Sequence, residues 1–447
     1  MLKKLLRGYL RTSLILRIVI GFGTGSIIGG LLWAYSGVIG QPATETVVQF
    51  IAPLGSLLIN MLKMIVIPVI FFSIVTGAAS LTLRKFGGIG LKVILWYLAT
   101  STLAAVVGAS LALAINPGSG SNLAGWERLI GALGMDQSIP GASPTLTHSL
   151  ASLVLSMFQN PFEALATNNF LAIIVFSLLF GLGIRVLLES GKSSVEHRGL
   201  ESIISLLNAA RAVIFKLVDW ILEYSPIGVF ALALTNFGLY GKNIVGPYVS
   251  VTLGVIGGIV IMMFGVYPLM IALITHQNPV RVMRKMDEAI ITAFITRSSA
   301  ATLPVSLHTM QSRLKVKPEL TSFTLPLGAT INMDGVCVHL PMFAILAANM
   351  FGIDLTLTNL IILVITTVLA SIGAGGVPGG SLMLLFIILE SLGLNGAQIA
   401  IMVALATGIN PILDMFETAN NVTGDMICTY IVAHKEKMFN PDFQGSQ

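Results

Sequence analysis

An all-α polytopic membrane protein, with eight transmembrane helices and two re-entrant helical hairpins, is the fold this sequence predicts. Three observations predict it. Charged residues make up 10% of the chain and hydrophobic residues 55%, whereas a soluble domain carries about 25% charge. Charges are also absent over long intervals: between Arg17 and Arg84 only Glu45 and Lys63 occur, and between Lys92 and Glu127 there are none. About 20 apolar residues span a bilayer core, so these intervals hold several crossings. Thirdly, two late apolar segments are broken at their centres by small residues and prolines.

In order along the chain, residues 13–34 predict a first helix and 47–80 a long second one, with Pro68 late in it. Residues 88–115 predict a third, ending at Asn116-Pro117-Gly118. The Gly/Ser/Pro-rich stretch 118–145 reads as an external loop. Residues 147–190 are apolar but interrupted by Asn160-Pro161, which predicts a kinked or segmented helix. Residues 198–236 and 244–275 supply the fifth and sixth crossings, and 396–433 the last. Basic clusters flank the apolar segments: MLKKLLRGYLR at the start, Arg84-Lys85, and His434-Lys435-Glu436-Lys437 near the end. The positive-inside rule then places both termini in the cytoplasm and requires an even number of crossings. These flanks account for the net charge of +5, so it does not imply nucleic acid. Cys337 and Cys428 lie in apolar stretches without metal spacing and read as small buried thiols.

The broken segments are 285–310, centred on Ser298-Ser299-Ala300-Ala301-Thr302-Leu303-Pro304, and 360–393, centred on Gly373–Gly380. Irregular backbone at membrane depth is tolerated only where it lines a protein site, so each predicts a re-entrant hairpin. Two such elements in one chain point to a transporter's binding site. The last span adds an acidic face. Asn410, Asp414, Glu417, Thr418, Asn421 and Asp425 fall on one side of a helix turning about 100° per residue. Acids inside an apolar span are expensive unless they face a polar cavity. Arg297 is the evident cationic partner and cannot neutralise Asp334, Asp414, Glu417 and Asp425 together, so bound cations or protons must supply the rest. Sodium takes carboxylate, amide and carbonyl oxygens, which Asn332, Asp334, Asn421 and Asp425 offer.

TRSSAATLP (296–304), PLGATINMDG (326–335), AGGVPGG (374–380) and LDMFETANNVTGD (413–425) resemble the signatures of the glutamate transporter family, the dicarboxylate/amino acid:cation symporters. YLATS (97–101) and NPFEAL (160–165) match as well, so the resemblance covers nearly the whole chain. It implies inverted repeats, a homotrimer in the cell membrane and an elevator mechanism. The scaffold domain would comprise 1–87 and 118–236. The transport domain would comprise 88–117 and 237–433, with 434–447 as a cytoplasmic tail. Position by position, it implies that Asp414 receives the substrate ammonium, assisted by Thr418 and Asn421, with backbone at Ser298, Ser299 and Val377 holding the substrate's polar ends. One co-transported sodium ion would use Asp425 with carbonyls at Gly328, Asn332 and Asn421. A second would use backbone at Thr330, Met333, Ser371, Ile372 and Ala374. A third would use Tyr97, Thr100, Ser101, Asn332 and Asp334.

Two positions depart from the acidic-substrate members. Glu417 stands where they carry an arginine for the substrate's second carboxylate, and Val336 stands where they carry a threonine. Glu417 would repel a second carboxylate, so aspartate and glutamate are disfavoured. Pairing of Glu417 with Arg297 would leave a small net-neutral pocket. That matches the bacterial serine/threonine:sodium symporters, which this chain resembles in TRSSAA and in Glu417-Thr418-Ala419. Serine, threonine or alanine is therefore the expected substrate, and no enzymatic activity is expected. The alternatives are coupling to protons and a basic or acidic amino acid. More remote are an ion channel and an intramembrane aspartyl protease, for which Thr423-Gly424-Asp425 lacks the preceding glycine because Val422 occupies its place.

Overall fold

The computed structural model describes residues 12–36, 41–80, 83–119, 155, 157–167, 169–190, 194–374, 376 and 378–440. Among them the only β pairing is an isolated bridge between Val316 and Phe439; the rest is helices and their connections. In chain order these are α1 (Leu14–Ala34), α2 (Gln41–Ala79), α3 (Leu83–Ile115), α4 (Pro161–Thr167), α5 (Phe170–Glu189), α6 (Ser194–Tyr240), α7 (Val245–Ile261) and α8 (Tyr267–Thr275). They continue with α9 (Pro279–Arg284), α10 (Asp287–Thr296), α11 (Ser299–His308), α12 (Pro318–Ile331), α13 (Asp334–Phe351), α14 (Leu357–Ser371), α15 (Gly380–Ser391) and α16 (Gly396–Lys435).

Eight helical runs among the described residues are long and apolar enough to cross a membrane, in agreement with the predicted number. They include α7–α8, joined through a π turn at Met262–Val266, and α12–α13, which is interrupted at Asn332-Met333. The predicted interruption of the fourth crossing is present. Pro161 starts α4, where a missing N–H costs nothing, and α5 begins afresh after Asn169, whose side chain accepts from the Ala172 N–H. The loop predicted over 118–145 lies almost wholly outside the described residues, and so do the chain ends that the charge rule orients.

The helices are positioned by close backbone contact as much as by bulky side chains. Gly21, Gly25 and Gly29 recur on one face of α1 and lie against α6. A methyl group on each would sit 2.5, 2.4 and 2.5 Å from the carbonyl oxygens of Pro226, Phe230 and Leu234. Small residues at this spacing let membrane helices approach where no hydrophobic effect drives them together. α2 packs on α6 and α5, while α13 packs on α3 and α16. α13 is buried on almost all sides, from Asp334 through Ala348.

Both broken segments are helical pairs. α10 ends at Arg297, whose φ of 54° is left-handed, and α11 starts at Ser298, whose hydroxyl caps the Ala301 N–H. α14 and α15 are 15 and 12 residues long, about 22 and 18 Å, so neither crosses a bilayer core of about 30 Å alone. The two tips touch: Ser298 Oγ donates to the Gly376 carbonyl at 2.9 Å, as does the Ala300 N–H at 3.4 Å. Gly376 has a left-handed φ of 66°, and a Cβ there would lie 2.4 Å from the Ala329 carbonyl. Glycine is the residue that satisfies both conditions.

Candidate functional site

The site is built where α12–α13 unwinds, facing the acidic stretch of α16. Asn332 and Met333 have φ/ψ of −109°/85° and −111°/63°, so the chain leaves the helix for two residues and exposes polar backbone inside the protein. Around this break the polar side chains form one connected network. Asp334, fully buried, accepts from Ser101 Oγ at 2.8 Å on one carboxylate oxygen and from Tyr267 Oη at 2.7 Å on the other. Asn332 Oδ1 accepts from Thr100 at 3.2 Å and from Ser101 at 3.3 Å, while its Nδ2 donates to Asp425 Oδ1 at 2.9 Å. Asn421 Oδ1 accepts the Gly335 N–H at 2.7 Å, and its Nδ2 faces Met333 Sδ at 3.3 Å.

Two glycines admit the carboxylates. A methyl on Gly328 would lie 2.5 Å from Asp425 Oδ1, and one on Gly424 would lie 2.7 Å from Asp334 Oδ2. Tyr97 is also buried here, but its hydroxyl donates to the Thr324 carbonyl at 2.8 Å and sits over Gly328 on the Asp425 side. Thr330 bonds back to Leu327 within α12, and Ser371 bonds to Val368 at the end of α14. Ile372 and Ala374 follow in the turn after α14, which reaches the Ala329 backbone through Gly376. Carboxylates, a carboxamide and hydroxyls are oxygen ligands of the kind that hard cations take.

The residues expected to meet the substrate centre on Asp414, further toward the start of α16. Asp414 Oδ2 accepts the Gly379 N–H at 3.1 Å at the start of α15, and Arg297 Nη1 approaches the same oxygen at 3.8 Å. Ser298, Ser299, Thr418 and Val336 lie on the adjoining segments, and Ser299, Thr418 and Val336 are buried. Val377 falls outside the described residues.

The expected Glu417–Arg297 pair is not formed. Glu417 Oε1 is 2.6 Å from His339 Nδ1, both side chains are enclosed, and Arg297 faces Asp414 instead. The physical reason is the register of two helices. A Cβ on Gly335 would lie 2.4 Å from the Glu417 carbonyl oxygen, so α13 and α16 touch backbone to backbone there. His339, one turn beyond Gly335 on the same face, is thereby set against Glu417. The sequence reading missed His339 and Tyr267. His339 was detectable as a titratable residue in an otherwise apolar stretch; for Tyr267 the π turn that aims it was not legible.

A hydrogen-bonded ionisable centre, walled by interrupted helices in a fold whose described residues hold eight membrane-length runs, points to the class of ion-coupled membrane transporters. Sequence comparison narrows that class. The chain belongs to the sodium:dicarboxylate symporter family, whose model matches residues 14–435. It is 30% identical over 432 residues to the "Proton/sodium-glutamate symport protein" of Bacillus subtilis, covering 95% of each chain. It is 29% identical to the "Proton/glutamate-aspartate symporter" of Escherichia coli, covering 93% of this chain and 92% of that one. Mouse "Excitatory amino acid transporter 2" is 29% identical over 471 residues, covering 94% of this chain and 78% of that protein.

Proposed function

We propose that this protein is a secondary active symporter that takes up a small neutral amino acid, serine, threonine or alanine, together with sodium. The observation that carries the substrate reading is the partnering of charges beside Asp414. Arg297 faces Asp414, and Glu417 is held by His339. A second substrate carboxylate would meet an additional carboxylate at Glu417 and a guanidinium already shared with Asp414. A substrate with one carboxylate and one ammonium adds no net charge. Its ammonium matches Asp414, and its carboxylate matches the positive end of the helix dipole at the start of α11, which favours an anion.

Sodium is proposed to occupy oxygen sites at Asp425 with Gly328, Asn332 and Asn421, and at Asp334 with Thr100, Ser101 and Asn332. Tyr97 is better placed to assist Asp425. A further site uses backbone at Thr330, Met333, Ser371, Ile372 and Ala374. The coupling follows from charge: buried carboxylates are unfavourable without counter-ions, so cation loading and substrate binding stabilise the same closed arrangement of hairpin tips. α1 and α2 pack most extensively on α6, and α13 packs most extensively on α3; a scaffold and a moving transport domain in a homotrimer are proposed on that division.

Acidic amino acids are the second reading. The names of the relatives favour it, and so does the Arg297 Nε, which is buried without a hydrogen-bond partner. The experiment is a competition panel in proteoliposomes, with labelled serine, threonine, alanine, aspartate and lysine under a sodium gradient. Serine uptake above aspartate is the expected result. Aspartate above serine would establish the second reading, and equal uptake on a proton gradient without sodium would refute sodium coupling.

A further inference from the structure

His339 and Glu417 form an ionisable contact that neither the cation sites nor the ammonium site uses. Each side chain is 1% exposed or less, and each retains one polar atom, His339 Nε2 and Glu417 Oε2, with no hydrogen-bond partner. Everything around the pair fixes its geometry. The His339 ring stacks on Phe343 with centroids 4.6 Å apart and planes 18° apart. One turn back, the Gly335 N–H to Asn421 bond ties the same two helices at 2.7 Å. A carboxylate oxygen enclosed without a donor is costly, and Glu417 is flanked on α16 by the substrate-facing Asp414, Thr418 and Asn421.

We propose that His339 is a positioning residue for substrate selection: it occupies Glu417 Oε1 and leaves Oε2 to accept a hydrogen bond from a hydroxyl on the substrate side chain. The inference rests on the neutral-substrate reading above and sharpens it from small neutral amino acids to hydroxyl-bearing ones. With its Nδ1 proton on Glu417, the histidine offers an acceptor at Nε2. The pair as a whole therefore selects for a donor. Alanine would bury the same carboxylate oxygen without supplying one, and a site built around such a bond discriminates against the analogue that lacks it.

The experiment measures KM for labelled serine and alanine in proteoliposomes under an inward sodium gradient. Wild type is expected to favour serine by about tenfold or more, as for a hydrogen bond to a charged acceptor. His339→Phe keeps the ring stack on Phe343 but lacks the donor. It should raise KM for serine by about tenfold more than KM for alanine, and His339→Gln, which restores an N–H donor, should recover part of the difference. Both KM values shifting by one factor in His339→Phe would overturn the inference, because a purely structural role predicts that. If the Phe variant is not monodisperse in detergent, Glu417→Met, which removes both acceptor oxygens at similar length, reads the same ratio; an undiminished serine preference overturns the proposal. Wild-type sodium-driven uptake of serine and alanine with equal KM overturns this inference alone. Uptake of aspartate in place of serine overturns the functional reading, and this inference with it.

Discussion

Replacing Gly328 by alanine puts the proposed Asp425 cation site to the most direct test. The added methyl would sit 2.5 Å from Asp425 Oδ1, 2.6 Å from its Cγ and 2.8 Å from the Tyr97 hydroxyl oxygen, where ordinary contact begins at 3.4 Å. Asp425 must then retreat by roughly 1 Å, and its 2.9 Å bond from Asn332 Nδ2 stretches past hydrogen-bonding range. Overpacking costs about 1–3 kcal/mol, and loss of a buried hydrogen bond to a carboxylate costs about 1.5–3 kcal/mol. Part of that total falls on folding and part on the cation. Apparent sodium affinity should fall by at least about tenfold, or about 1.4 kcal/mol. The matched control is Gly257→Ala, whose methyl would meet only Leu111 Cδ2 at 3.6 Å. The assay is a sodium titration of labelled-substrate uptake in proteoliposomes, with thermal melting in detergent reporting the folding share. A folded Gly328→Ala protein with the wild-type sodium midpoint would refute the assignment of a cation to Asp425.

Tyr267→Phe removes the donor to one oxygen of buried Asp334 and should lower stability in sodium-free buffer by about 1–3 kcal/mol; an unshifted melting curve would show that the bond contributes nothing. Asp287, at the exposed start of α10, is held below the usual carboxylate range, first by the Arg313 side chain and then by the Glu288 N–H. A depressed folded pKa gives stability that is present above the unfolded value and is lost as pH falls through the folded one. Asp287→Asn should therefore show a shallower acid-side loss of stability below about pH 4, and identical slopes in a pH series of melting curves would contradict the pairing.

The membrane-crossing elements and the acidic face of α16 were readable because both are one-dimensional signals. Crossing a bilayer demands a minimum apolar length, and a helix repeats its faces at a constant angle, so Asp414, Thr418, Asn421 and Asp425 could be grouped by counting. The breaks at Arg297-Ser298 and around Gly376 were marked by the small residues and prolines that such backbone requires, whereas the unwound stretch at Asn332-Met333 was not foreseen.

Partner choice inside the site was not readable by counting. Arg297, 120 residues before Glu417 in the sequence, was the natural guess because it is a permanent cation beside a carboxylate. The outcome depends instead on how far α13 slides along α16, and the absence of a Cβ at Gly335 sets that distance. Tyr267 reaches Asp334 for a similar reason, since a π turn ahead of it rotates its side chain relative to the rest of the crossing. By itself, the sequence determined that this chain crosses a membrane, breaks two late apolar segments at their centres and carries acids on one buried face, because each follows from local length, composition and periodicity. Only the tertiary structure decided which charge each acid meets, because that depends on the approach of helices remote in sequence, where a shift of one turn, about 5.4 Å, exchanges every partner.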